Sequence, residues 1–150
     1  MIRSVLMVCE GNICRSPLAA ALLAREMPEL EVTSAGTHAL VGWPADPHAV
    51  ELMRERDIDL SDHSARTLSP HLMRSHDLVL VMTLAQRKEL LARYPFSRGR
   101  VYRLLHDEQG DVVDPYRQDL TAFRSSLAQI ERGVFSWLHR LRASRLEPAS

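Results

Sequence analysis

Cys9 and Arg15 stand six residues apart in the run Val8-Cys9-Glu10-Gly11-Asn12-Ile13-Cys14-Arg15-Ser16-Pro17. A thiol is a poor nucleophile until it ionises. Helix N-termini and neighbouring cations lower a thiol pKa from about 8.5 to roughly 3.5–7.5. Arginine presents a planar fork that matches two oxygens of a phosphate. Backbone amides and that fork together stabilise charge on the equatorial oxygens of a phosphoryl group in flight. A thiol, the amides of Glu10, Gly11, Asn12, Ile13 and Cys14, a guanidinium and the Ser16 hydroxyl thus describe nucleophilic phosphoryl transfer through a cysteinyl-phosphate. A bare Cys-x5-Arg also arises by chance in strand-to-helix turns. The full run is far more specific.

The loop must be held between two elements. Val5-Leu6-Met7-Val8 is an apolar run that reads as a buried strand, with Met1 to Val8 as its span. Leu18-Ala19-Ala20-Ala21-Leu22-Leu23 is a strong helix former, and the helix is expected from about Ser16 to Met27, where Pro28 stops it. The loop therefore sits at a helix N-terminus, where free N–H groups and the positive end of the dipole favour an anion. Gly11 permits a turn with φ > 0. Asn12 tolerates the left-handed region and can bond the loop internally. Pro17 suits the first helical turn.

The remaining chain alternates in the same way. Leu30 to Ala35 reads as a second strand, at an edge, and Gly36 to Pro44 as a loop carrying Leu40, Val41 and Trp43. Asp46-Pro47 and Ser69-Pro70 each read as an N-cap with a first-turn proline. Leu78 to Met82 is a third strand. Thr83 caps a helix reaching about Tyr94, before Pro95. Val101 to Leu105 is a fourth strand, and His106 to Arg117 a loop. A last helix is expected from about Asp119 to Leu141, with Phe123, Leu127, Ile130, Val134, Trp137, Leu138 and Leu141 as one core-facing stripe. The domain is expected over 1–142, with 143–150 as a frayed tail. Strands alternating with helices imply a parallel α/β sheet, whose ligands sit at the carboxyl ends of the strands.

The loop after the fourth strand carries a second candidate group. Breaking a phenyl phosphate expels a phenolate. A positioned carboxylic acid can protonate it and later take a proton from water. Asp114 precedes Pro115, which restrains it to extended geometry. Tyr116 can wall a pocket for an aromatic substrate. Asp-Pro-Tyr alone is a common turn; the cysteine loop upstream gives it meaning.

Bulk properties narrow the class. The 150 residues suit one domain with a full core. Lys plus Arg number 19, as do Asp plus Glu, which argues against a nucleic-acid or anionic-membrane surface. Nothing approaches a membrane span, and the apolar run before Glu10 is too short for a signal-peptide core. Two cysteines in one loop make no secreted disulfide framework, so a reducing cytoplasm is the expected home. Seven histidines show no metal-ligand spacing, and neither metal nor cofactor is expected.

These residues resemble the low-molecular-weight protein tyrosine phosphatase family. The likeness runs through the Val8-to-Pro17 loop, Ser34-Ala35-Gly36-Thr37, His63-Ser64-Ala65-Arg66 and Asp114-Pro115-Tyr116. The stretch Ala39-Leu40-Val41-Gly42-Trp43-Pro44-Ala45-Asp46 resembles the bacterial branch associated with exopolysaccharide export and tyrosine kinases. The resemblance implies a single-domain, four-stranded parallel sheet flanked by helices. It implies Cys9 as nucleophile, Arg15 as phosphate clamp, Asp114 as general acid and Ser16 as a donor to the Cys9 thiolate. It also implies a phosphotyrosine protein as substrate, an autophosphorylated tyrosine kinase among them. Thr83 departs from the acid that family members carry after the third strand, and Ala19-Ala20-Ala21 from the bacterial branch's polar first helix.

Several roles stay open at this level. Leu40 and Trp43 are candidates for the pocket rim or for plain packing. His63 and Arg66 are read as loop braces. Cys14 either forms a reversible disulfide with an oxidised Cys9 or packs as a small hydrophobe. Arsenate reduction on the same fold is a competing function, but residues 83 to 95 lack the resolving thiols it needs. A phosphotyrosine-binding module without turnover is another, opposed by the intact Cys9, Arg15 and Asp114.

Overall fold

The computed structural model describes residues 1–146. Its elements are β1 (Ser4–Cys9), α1 (Arg15–Glu26), β2 (Glu31–Gly36), α2 (Pro47–Arg54), α3 (Pro70–Ser75), β3 (Leu78–Val81), α4 (Leu84–Arg93), β4 (Val101–Arg103) and α5 (Leu120–Leu146). A 3₁₀ turn at Pro95–Ser97 follows the break that Pro95 imposes on α4. The four strands are all parallel, in the order β2-β1-β3-β4. β2 is the expected edge strand. β1 is buried along its whole length, as its unbroken apolar run requires when both faces are covered.

Alternation along the strands divides the core. Val5, Met7 and Cys9 pack with Leu80, Met82 and the stripes of α1 and α5; Leu6 and Val8 pack with Val79, Val81, Met73 and Leu90 on the other face. All seven residues of the α5 stripe are buried. Gly133 lets α5 approach the end of β4, because a Cβ there would lie 2.6 Å from the Leu104 side chain. The helix starts are capped as their sequences predict. Asp46 Oδ1 accepts from His48 N at 2.9 Å, and Ser69 Oγ accepts from Leu72 N at 3.1 Å.

Several element ends differ from the sequence reading; β1, for one, begins at Ser4 rather than Met1. α5 continues to Leu146 rather than ending at Leu141. Ser144 Oγ bonds Leu141 O there, and Arg145 pairs with Glu29 at 3.4 Å, contacts that hold the last turns. The helix thus runs through residues 143–146 of the expected tail, and 147–150 lie outside the described residues. β3 and β4 end earlier than expected, since the chain turns once Leu104 N has bonded Val81 O.

β1 leads through α1 to β2 on one side, and β3 leads through α4 to β4 on the other. The topological switch point thus lies at the carboxyl ends of β1 and β3, where a crevice opens.

Candidate active site

The Cys9-to-Ser16 loop leaves the carboxyl end of β1 at this crevice. Its carbonyls are turned outward. Cys9 O accepts from Thr37 N at 3.0 Å, Glu10 O from His38 N at 2.9 Å and Gly11 O from Leu40 N at 3.1 Å. Ile13 O accepts from Asp46 N at 2.8 Å and Cys14 O from Leu18 N at 3.2 Å. Asn12 O lies 2.6 Å from His63 Nε2, which is thereby the protonated ring nitrogen. A trans peptide points its N–H opposite to its C=O. The amides that follow these carbonyls, from Glu10 to Arg15, therefore face inward. Those of Gly11, Asn12, Ile13, Cys14 and Arg15 find no acceptor among the described residues. The result is a ring of donors at a helix N-terminus, suited to a tetrahedral oxyanion.

Asn12 braces this ring from behind. The left-handed residue of the loop is Asn12 (φ 59°), and Gly11 does not use the positive φ open to it. The turn buries the Asn12 side chain completely. Its Nδ2 donates to Ser16 Oγ (2.8 Å) and Ser34 Oγ (3.0 Å), and its Oδ1 accepts from Arg66 N (3.0 Å). Asparagine tolerates this backbone region because its short amide bonds locally. Ser34 and Arg66 belong to the motifs noted in the sequence, and both serve as struts. Gly36 closes the support. A Cβ there would lie 2.4 Å from Glu10 O.

Cys9 Sγ lies 2.9 Å from Ser16 Oγ, both buried. Asn12 donates to Ser16 Oγ, and once Cys9 ionises its sulfur carries no proton, so Ser16 is then the donor to it. Arg15 is buried and reaches across to the loop after β4. Its Nη1 donates to Val112 O at 3.0 Å, and its Nη2 lies 3.5 Å from Asp114 Oδ2. The Asp114 side chain is 44% exposed. Its Oδ1 accepts from Tyr116 N at 3.1 Å, an Asx turn across Pro115. Burial pushes the Cys14 thiol well above its ordinary value, with Asp46, Cys9 and Asp114 adding to the effect and Arg15 opposing it.

A cavity of ≈ 250 Å³ brings most of the candidates together. Cys9, Glu10, Gly11, Ile13, Cys14 and Arg15 form its floor and near wall; Leu40, Asp114 and Tyr116 form the rest, joined by His38 and Arg117. The Asn12 and Ser16 side chains do not reach it; they lie behind the loop. Trp43 is absent from the rim as well. It is 53% exposed, and its backbone ties Leu40 O to Ala65 N. The sequence reading missed His38 and Arg117. Arg117 holds a left-handed backbone (φ 65°) and stacks its guanidinium 5.3 Å from the Tyr116 ring centroid. Its place directly after Asp-Pro-Tyr was an available signal. His38 had none, since its position depends on the long-range bond to Glu10 O.

Thr83 has a role of its own. It N-caps α4 in a reciprocal capping box with Gln86. The acidic group beside that helix N-terminus is Asp111, whose Oδ1 accepts from Leu84 N at 2.9 Å.

Comparison with known proteins adds an independent line. The family described as low molecular weight phosphotyrosine protein phosphatase matches residues 4–146. A probable low molecular weight protein-tyrosine-phosphatase EpsP of Ralstonia nicotianae is 51% identical over 143 residues, covering 95% of this chain and 99% of that protein. The low molecular weight protein-tyrosine-phosphatase Wzb of Escherichia coli K12 is 40% identical over 147 residues, covering 97% and 100%. The structure of Vibrio vulnificus Wzb in complex with benzylphosphonate is similar with a TM-score of 0.89 at 33% identity, over 93% of this chain and 99% of that one.

Proposed function

The chain belongs to the low molecular weight phosphotyrosine protein phosphatase family, and from that premise we propose that it hydrolyses phosphotyrosine in proteins through a cysteinyl-phosphate. The observation that carries the mechanism is the ring of inward amides around Cys9, with Arg15 joining it to Asp114. The Cys9 thiolate attacks phosphorus as the ester P–O bond breaks. Asp114 gives its proton to the departing phenolate oxygen. Arg15 and the amides hold the three equatorial oxygens. Water then attacks phosphorus as the S–P bond breaks, with Asp114 taking the water's proton, and phosphate and the Cys9 thiolate are released. Ser16 donates to sulfur whenever it carries negative charge, on attack and on release. Ile13, Leu40 and Tyr116 present apolar surface to the phenyl ring, and a phosphoserine would leave that surface unfilled.

The proposed partner is an autophosphorylated tyrosine kinase of bacterial exopolysaccharide export, and the proposed site of action is the cytoplasm. Identity to the proteins named EpsP and Wzb, together with the Ala39-to-Asp46 stretch, supports this partner. No described helix is long and apolar enough to cross a membrane. Arsenate reduction is disfavoured, because α4 carries no cysteine.

Turnover of p-nitrophenyl phosphate in EDTA tests the chemistry, and paired phosphotyrosine and phosphoserine peptides test the substrate. We expect metal-independent turnover and a strong preference for phosphotyrosine. Equal rates on the two peptides would remove the assignment.

A further inference from the structure

The residue before the general acid is held by α5, and by hydrogen bonds alone. Val113 N donates to Gln129 Oε1 at 2.9 Å, and Val113 O accepts from Ser126 Oγ at 2.9 Å. Both polar groups of one residue are thus gripped by two side chains three positions apart, which share a helix face. The Val113 side chain is 55% exposed, so apolar packing does not anchor this point. Ser126 is fully buried, and neither clamp residue lines the cavity. The preceding residue is fixed as well: Val112 N donates to Met82 O at 2.8 Å, and Val112 O accepts from Arg15. Four consecutive main-chain polar groups leading into Asp114 are therefore bound. Among the described residues, the Asp114 side chain itself has only the Tyr116 amide and the Arg15 ion pair.

We propose that Ser126 and Gln129 are positioning residues, which set the aim of the Asp114 carboxyl toward the leaving-group oxygen. The proposal rests on the reading of Asp114 as the general acid. Misaiming the acid weakens protonation of the leaving group, and poor leaving groups need that proton most. The clamp should therefore matter in proportion to leaving-group basicity, a pattern that general loss of structure does not give.

The test is kcat/KM for a series of aryl phosphates, from phenyl to 2,4-dinitrophenyl, with wild type, Ser126→Ala, Gln129→Ala and Asp114→Ala. In each clamp variant phenyl phosphate should lose about three- to ten-fold, the scale of one ordinary hydrogen bond. The dinitrophenyl ester should lose less than about two-fold, since little protonation is required of the acid there. Gln129→Glu keeps an acceptor for Val113 N and should restore the wild-type dependence. Each ratio is internal to one variant, so a smaller folded fraction does not alter it. Gln129 is only half-buried, so Gln129→Ala carries the test if Ser126→Ala does not fold. An equal loss across the series, or none, overturns the proposal. If Asp114→Ala itself shows no dependence on the leaving group, the general-acid reading fails instead.

Discussion

Arg15 Nη2 stands 3.5 Å from Asp114 Oδ2, joining the Cys9 loop to the loop that carries Asp114. The guanidinium is buried and the carboxylate half exposed, so solvent screens the pair and its net energy is small. Its value is geometric. One fork nitrogen is tied to Val112 O and the other faces Asp114, so the guanidinium is already oriented for the phosphate clamp proposed for it.

Two substitutions test this centre. Cys9→Ser should abolish turnover, because a serine hydroxyl does not ionise near neutral pH. Arg15→Lys keeps the charge but loses the fork. It should cost about 10²–10³-fold in kcat/KM, the scale of losing one preorganised donor. Metal-independent turnover by Cys9→Ser would exclude the cysteinyl-phosphate.

Asn12 should be the most sensitive support. Asn12→Ala removes three hydrogen bonds and puts a Cβ residue without a local amide at φ 59°. We expect a loss of about 2–4 kcal/mol in urea unfolding, from unsatisfied partners and left-handed strain. Asn12→Gly relieves the strain alone and should recover about 1 kcal/mol of it. Identical stabilities for the two variants would show that backbone geometry is not at issue.

Much of this was legible in the sequence, and the parts that were not share a cause. The Cys9 loop, both proline-led caps and the α5 stripe are local patterns, and local chemistry fixes them. The positive φ fell on Asn12 instead of Gly11 because distant partners, Ser34 and Arg66, draw the Asn12 amide inward. Trp43 stays off the rim because its backbone is committed to Leu40 and Ala65. The clamp from Ser126 and Gln129 was invisible, since both sit on a helix whose stripe reads only as core. Thr83 looked like a gap in a pattern until Asp111, distant in sequence, was found beside the helix it caps.

Oxidation should expose the role of Cys14. Peroxide converts the Cys9 thiolate to a sulfenic acid, and the Cys14 thiol can condense with it, forming a disulfide and releasing water. Because burial raises the Cys14 thiol's pKa, little of it is thiolate at neutral pH. Disulfide formation should therefore be slow near pH 7 and faster as pH rises. Peroxide-treated wild type should regain activity with dithiothreitol, and Cys14→Ser much less. Equal recovery, with no loss of two hydrogens by mass spectrometry, would leave Cys14 as a packing residue.

Asp77 offers a pH test of the sheet. Its carboxylate accepts from Arg3 N (2.8 Å) and Ser4 N (3.3 Å), while Ser4 Oγ accepts from Asp77 N (2.9 Å). The Arg3 amide foremost, then Ser4, holds this carboxyl below the ordinary carboxylate range. A lowered folded pKa contributes stability above the unfolded value of about 3.9, which is lost as pH falls through the folded one. Asp77→Asn should thus be less stable at pH 7, by under about 1 kcal/mol for so exposed a group. The gap should close below about pH 4. A gap that persists in acid would point to lost shape rather than lost charge.

The grip of α5 on Val113 also makes the seating of the Asp114 loop depend on one helix. The Cys9 loop is bonded by Thr37, His38, Leu40, Asp46, Ser34 and Arg66, none of them on α5. Ser126 and Gln129 reach Val113 only while α5 is docked. Local opening of α5 therefore releases the anchors of the Asp114 loop without breaking the bonds that shape the loop around Cys9.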